Sequence, residues 1–322
     1  MEKISVIIAL YNCAPYLERC LESILHQTYT NLEVLISDDC STDNSLEIAR
    51  RYALQDERVK VFSQPKNTGV LKQYNFLFSQ ATGDYLAIQD SDDWSHPQRL
   101  EKQRDILATY HDILVCGTGA TFCYPYKKVE CLERNDMRWK GATFNYYFAP
   151  ATIMFKRDVL NKIPGMNEWF DLGTSMDRYF VTEILEMGEA YYLNELLYYV
   201  GVRANSNHKI FSKKKIITLR LCEKFIEQRI DTGSDWLLEK NWDAIKEYEK
   251  SVLKDRKLIS GLYRHSAVFD VEFNNFDSAI RNLRRSFYYN VNILNIRTFL
   301  FFLRKYIKAG ILSRLSIRRR VS

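Results

Sequence analysis

Apolar and polar positions along the first 120 residues follow two periods in alternation. Residues 4–10, 32–37, 59–63, 85–89 and 113–117 are short, nearly continuous apolar runs, the pattern of buried strands. Between them, residues 15–26, 43–54, 69–81 and 97–110 place apolar side chains at helical spacing. Leu17, Leu21, Ile24 and Leu25 mark one face of the first. Pro15 and Pro97 stand where a helix tolerates proline, in its first turn. Strands alternating with helices over short connections predict an α/β domain, a mostly parallel sheet with helices on both faces. Such sheets bind ligands at the carboxyl ends of their strands.

The rhythm then changes. Residues 118–148 read as a looser stretch. Beyond it the pattern predicts a strand at 151–156, a short helix at 157–163 and a loop at 165–176. A helix at 177–187 and one or two strands at 191–200 follow. From about residue 210 the chain reads as helical to its end. Three regions result: 1–117, 118–209 and 210–322.

Composition adds little to this picture except at two points. At 322 residues, 46% hydrophobic and 27% charged, the chain has ample material for a packed core. Its seven cysteines form no CxxC pair and are odd in number, which argues against a metal cage or disulfide framework and for a reducing compartment. Residues 4–10 are too short for a secretory leader, and no run is long and apolar enough for a spanning helix. The net charge of +6 is modest but unevenly placed. No Asp or Glu follows Asp277, while eleven Arg or Lys lie from Arg281 to Arg320. That basic end calls for an acidic partner, a phospholipid surface or a nucleic acid.

The strongest chemical signal is Asp90-Ser91-Asp92-Asp93, directly after the apolar run at 85–89. Three carboxylates in four residues repel one another unless water or a cation screens them. Hard divalent ions such as Mn2+ and Mg2+ take oxygen ligands and bridge protein carboxylates to substrate phosphates. The plain alternative is a solvated acidic turn ahead of the helix near Pro97.

Motif order separates the two readings. Residues 4–12 (ISVIIALYN), 33–45 (EVLISDDCSTDNS), 66–69 (KNTG) and 83–94 (GDYLAIQDSDDW) occur in an order and spacing that resemble glycosyltransferase family 2. The likeness extends over roughly residues 3–205. It implies a GT-A fold, an inverting transfer and a nucleotide-sugar donor. It also implies that the turn at Ala9, Tyr11 and Asn12 lies against the nucleotide, with Tyr11 near the base. Asp39 would accept a hydrogen bond from the base imide, a group that uracil presents, and Asp38 would shape that pocket. Asn67 and Gly69 would form the loop that approaches the donor. Asp90 and Asp92, with Ser91 between them, would be the DxD pair and hold Mn2+ or Mg2+. From the residues alone, the Asp38-Asp39 pair ends a strand before a helix that Thr42 can cap. Cys40 departs from the family, which usually has Gly there, and a side chain resists positive φ.

An inverting transfer needs a base opposite the leaving group. In the family this is an acid at the start of a helix behind a Gly-rich loop. The stretch Pro164-Gly165-Met166-Asn167-Glu168 resembles that loop, and Ser175-Met176-Asp177-Arg178 opens the helix. Asp177 is the expected base and Asp171 the next choice; Met176 departs from the family's acid or amide. Asp177 is also a favourable charge at a helix N-terminus, with or without catalysis. Arg203 resembles the family's diphosphate-facing arginine, and His208 reads as a surface-loop residue.

In the tail, Phe299, Leu300, Phe302, Leu303, Tyr306 and Ile307 with flanking bases suit a helix lying on an anionic membrane, or one packing on the core. No nucleic-acid recognition module is visible. The expectation is a cytoplasmic enzyme, at the inner face of the membrane if the tail docks there. It would transfer a sugar from a UDP-sugar to a hydroxyl of a polysaccharide or lipid-linked glycan. The alternatives are transfer to polyprenyl phosphate and a catalytically silent nucleotide-sugar-binding protein.

Overall fold

The computed structural model describes residues 2–124, 127–133, 135–141, 150–170, 175–203, 213–273 and 275–318. Asp171 and His208 lie outside them. The chain divides into two compact units, residues 1–202 with 222–239, and residues 203–221 with 240–322.

The first unit opens as predicted with β1 (Ile4–Leu10), α1 (Ala14–Leu25), β2 (Leu32–Asp38), α2 (Ser45–Gln55), β3 (Val59–Ser63), α3 (Val70–Gln80) and β4 (Tyr85–Ile88); the short β5 (Trp94–Ser95), which was not expected, precedes the expected α4 (Arg99–Thr109). It continues with β6 (Ile113–Tyr124), β7 (Lys127–Cys131), β8 (Met137–Lys140), β9 (Met154–Lys156), α5 (Met176–Met187) and β10 (Glu189–Gly201). Sheet order is β3-β2-β1-β4-β9-β6-β10-β5, with β7 beside β6 and β8 beside β10. The first four of these strands are parallel, and β9 enters antiparallel between β4 and β6.

Both faces are covered. Val6, Ile8 and Leu10 pack with Leu17, Leu21 and Ile24 of α1, Ala49 and Tyr52 of α2, and Leu100 and Leu107 of α4. On the other face Phe78 of α3, Phe155 of β9 and Phe180 of α5 form a triangle with ring centroids 5.4–5.9 Å apart. Each such fully buried side chain stabilises the fold by roughly 1.5–3 kcal/mol. This seating fixes where the N-termini of α3 and α5 point.

Two expectations are corrected. Residues 118–124 are not loose; they continue β6, paired with β10 on one side and β7 on the other. Thr42 does not cap α2, whose first residue is Ser45. Its N–H and hydroxyl donate instead to Asn12 Oδ1, at 2.8 and 3.3 Å.

The carboxyl-terminal half of α6 (Lys213–Thr232) carries Arg229, which packs in the first unit. Its buried guanidinium bonds Asp235 (2.5 Å), Glu186 (2.6 Å) and the Tyr179 hydroxyl (2.7 Å), with Glu183 at 3.7 Å. Glu183 Oε2 is buried without a partner, and burial pushes this carboxyl up to about 7 despite the arginine. The folded chain therefore holds this proton more tightly than the unfolded chain, whose carboxyl sits near 4.5. Stability from that proton is full below 4.5 and is lost as pH rises to about 7. Glu183→Gln lacks the titration, so its urea midpoint should gain on wild type between acid and mildly alkaline pH. Parallel midpoints for the two proteins across that range would contradict this.

In the second unit, α7 (Trp242–Lys254), α8 (Arg256–Glu272), α9 (Phe276–Tyr289) and α10 (Ile293–Arg318) follow. Asn241, Asp255 and Asn275 cap the first three through side-chain oxygens that accept backbone N–H groups. Ala267, Val271, Ala279, Leu283 and Phe302 form a small core.

Candidate active site

The site assembles at the carboxyl ends of β1, β2 and β4, where three turns meet. Asn12 ends the first turn with φ +49°, and its N–H donates to Ser41 Oγ at 3.0 Å. Together with the Thr42 bonds, this ties the β1–α1 turn to the β2–α2 turn. Cys40 takes φ +62°, so the position where the family prefers Gly is left-handed here despite its side chain. Tyr11 is 47% exposed beside Ala9 and Asn12.

Asp38 and Asp39 are both buried, but their surroundings differ. Asp39 Oδ1 accepts the Thr68 N–H and the Gln73 amide, each at 2.7 Å, and Oδ2 accepts the Gly69 N–H at 2.9 Å. The carboxylate thus holds the 67–69 turn in place, and Gly69 makes it with φ +90°. Asn67 is exposed at its tip. Asp38 Oδ2 accepts the Ser41 N–H at 3.2 Å, while its Oδ1 is buried with no partner. A buried carboxylate oxygen left unbonded costs free energy, and such atoms mark places where a ligand donor fits.

After β4, one carboxylate oxygen each from Asp90, Asp92 and Asp93 lie within 4.8 Å of one another. This all-oxygen donor set fits a hard divalent cation. Asp90 is half-buried; its Oδ1 accepts the Tyr74 hydroxyl at 2.8 Å and its N–H donates to Tyr198 at 3.1 Å. Burial, then the charge of Asp92, pushes Asp90 up to about 6. Asp93 is buried beneath and pushed well up by burial and by the same two neighbours. It accepts the Gly201 N–H at 2.7 Å. A Cβ on Gly201 would stand 2.6 Å from the Asp92 carbonyl oxygen, so the end of β10 approaches the acidic turn as only glycine allows. Ser91 is buried within the turn.

Behind the triplet lies Arg99, fully buried, its N–H groups given to Gln103, Gln89, Ser95 and the Ile88 carbonyl at 2.8–3.0 Å. Burial lowers it to about 10, still charged at neutral pH, and its field draws Asp90 down. It is a built-in counter-charge that makes no direct carboxylate bond.

Asp177 stands in the first turn of α5, after Ser175 at φ +67°. Its Oδ1 accepts the Arg178 N–H at 2.7 Å. Its charge is among those that raise Asp90 and Tyr74, so it lies within electrostatic reach of the acidic turn. Arg203, two residues past β10, falls in the second unit. The sequence reading missed Gln73, Tyr74, Arg99, Tyr198 and Gly201. Gln73 left a trace, as a polar residue on the otherwise apolar inner face of its helix.

Residues 5–163 match the model of glycosyl transferase family 2. Glycosyltransferase GlyG of Streptococcus pneumoniae is 32% identical over 223 residues, 64% of this chain and 72% of that protein. The chain belongs to glycosyltransferase family 2. A second relative, the putative glycosyltransferase EpsE of Bacillus subtilis, is 45% identical over 118 residues, 36% of this chain. The match spans only 42% of EpsE's own length. Among solved structures, residues 1–349 of Staphylococcus aureus TarS with UDP-GlcNAc superpose with a TM-score of 0.60 at 18% identity. The superposition covers 87% of this chain and 89% of that one. The fold is GT-A, as the family resemblance implied, with a helical carboxyl-terminal region.

Proposed function

We propose that the chain is an inverting, metal-dependent glycosyltransferase acting in polysaccharide or lipid-linked glycan biosynthesis. It would move a sugar from a nucleotide-sugar, a UDP-sugar, to an acceptor hydroxyl. The observation that carries this reading is the carboxylate triplet after β4 with the charge of Asp177 close by. Asp90 and Asp92 would hold Mn2+ or Mg2+, which when bound supplies positive charge for the departing diphosphate. Ala9, Tyr11 and Asn12 would line the nucleotide. A uracil imide N–H suits Asp39 Oδ2, which accepts a single N–H from the chain and retains a lone pair. The UDP-GlcNAc held by TarS supports the same choice of base. Asp38 would take a further donor on its unbonded Oδ1, while Asn67, Gly69 and Ser91 would bring backbone and hydroxyl groups to the donor. Asp177 would remove the acceptor proton as the glycosidic bond forms.

With Mn2+ present, the chain should slowly release UDP from at least one UDP-sugar in a panel of UDP-, dTDP- and GDP-sugars. Failure to release diphosphate from any of them, together with failure to bind any, would overturn the enzymatic reading.

For the second unit we propose docking on an anionic phospholipid surface, at the inner face of the cell membrane. Among the described residues no helix is long and apolar enough to cross a membrane. On α10, Asn295, Thr298 and Phe302 face inward. Ile293, Ile296, Leu300 and Ile307 share another face and are 65%, 47%, 53% and 57% exposed. Exposed Arg297 and Arg304 border that stripe. Flotation with phosphatidylglycerol vesicles should be strong at low salt and weaker at high salt, and Leu300→Glu should reduce both. Absence of flotation at either salt would refute docking.

A further inference from the structure

Three consecutive residues of α3 each fasten a different wall of the site. The Gln73 amide donates to Asp39 and to Thr68 Oγ1 at 2.7 and 2.8 Å, on the side of the 67–69 turn. The Tyr74 hydroxyl donates to Asp90 Oδ1 at 2.8 Å. Asn75 pairs with the backbone of Met166 in both directions, Nδ2 to the carbonyl at 2.9 Å and Oδ1 from the N–H at 2.8 Å. A Cβ on Gly165 would come within 2.5 Å of that Asn75 oxygen, so the loop before α5 closes on α3 at a glycine. Successive side chains on a helix point about 100° apart, which is how one turn of α3 reaches three loops.

We propose that Tyr74 is a positioning residue that decides which oxygen of Asp90 is offered to a divalent cation. The inference rests on the metal-dependent reading above. The Tyr74 ring is buried and stacked on Phe78, with centroids 6.3 Å apart and planes 21° from parallel. Phe78 in turn packs on Phe155 and Phe180 in the core. The hydroxyl is thus fixed by the packing of a whole sheet face. By occupying Oδ1 it limits rotation of the carboxylate and leaves Oδ2 for a ligand. The Asp90 N–H, held by Tyr198, prevents the main chain from compensating. A donor behind a ligating group orients it, and losing such a partner typically costs about 10–100-fold in metal affinity.

The test is Mn2+ titration of the full chain, following the electron paramagnetic resonance of free Mn2+ in the presence of UDP. Tyr74→Phe should bind Mn2+ about 10–100-fold more weakly than wild type, with a nearly unchanged thermal midpoint. The double variant Tyr74→Phe/Asp90→Ala should be no worse than Asp90→Ala alone, because the hydroxyl acts through Asp90. A purely structural role would instead give additive losses. Equal Mn2+ affinity in wild type and Tyr74→Phe, or additive losses in the double variant, would overturn the positioning role. Absence of Mn2+ binding by wild type would overturn the metal reading beneath it, so the two failures are distinguishable.

Discussion

Asp177→Asn is expected to lower turnover by about 10²–10⁴-fold, the usual contribution of a general base, while leaving Mn2+-dependent UDP binding intact. The amide keeps the shape and the hydrogen bond from the Arg178 N–H but cannot take a proton. The helix that carries this carboxylate places it at its positive end. It stands in the first turn of α5, where the helix dipole attracts negative charge, and its own charge raises Asp90 across the site. Ser175, held in a left-handed conformation, sets the angle at which the helix enters, so the position of Asp177 is built into the backbone. Near-wild-type turnover in Asp177→Asn would move the base elsewhere, and Asp171 would be tested next.

The first 117 residues were legible because local and global signals agree there. The apolar runs that predict β1, β2 and β4 are buried in the core, and the polar clusters fall at their carboxyl ends. Elsewhere, distant pairing overrode local composition. The stretch GTGATFCY within β6 is rich in Gly and Thr and reads as a loop, yet β10 and β7 supply partners on both edges. The expected one or two strands at 191–200 are a single strand, β10, whose register slips around Leu193 and Leu196; its pattern is mixed for that reason. In the site, residues that would touch a ligand carry sequence signals because their chemistry is unusual. Those that hold them in place do not. Tyr74 reads as one more aromatic on a helix, and only the packing of α3 against β1 and β2 brings its hydroxyl to Asp90. Asp93 reads as one of three equivalent acids. Its burial against the Gly201 N–H makes it the anchor of the turn. Cys40 shows the converse, for the backbone keeps the geometry that a glycine would make easy.

Loss of the cation site should be the largest effect on binding. Of the three acids, Asp90 already accepts a bond from Tyr74 and Asp93 one from Gly201, and both are held from behind. Asp92 is half-buried and contributes a carboxylate oxygen to the triplet, and we propose it as a direct ligand of the cation. Removing it should cost more than the roughly 10–100-fold expected for an outer partner such as Tyr74. It should also leave Asp90 and Asp93 less repelled, so a folding defect is not expected. The most direct measurement is titration calorimetry of UDP with and without Mn2+, on wild type and on Asp92→Ala. Wild type should bind UDP far more tightly with Mn2+, and Asp92→Ala should show no such difference. UDP binding that is indifferent to Mn2+ in wild type, or equally Mn2+-dependent in the variant, would contradict a cation held by these aspartates.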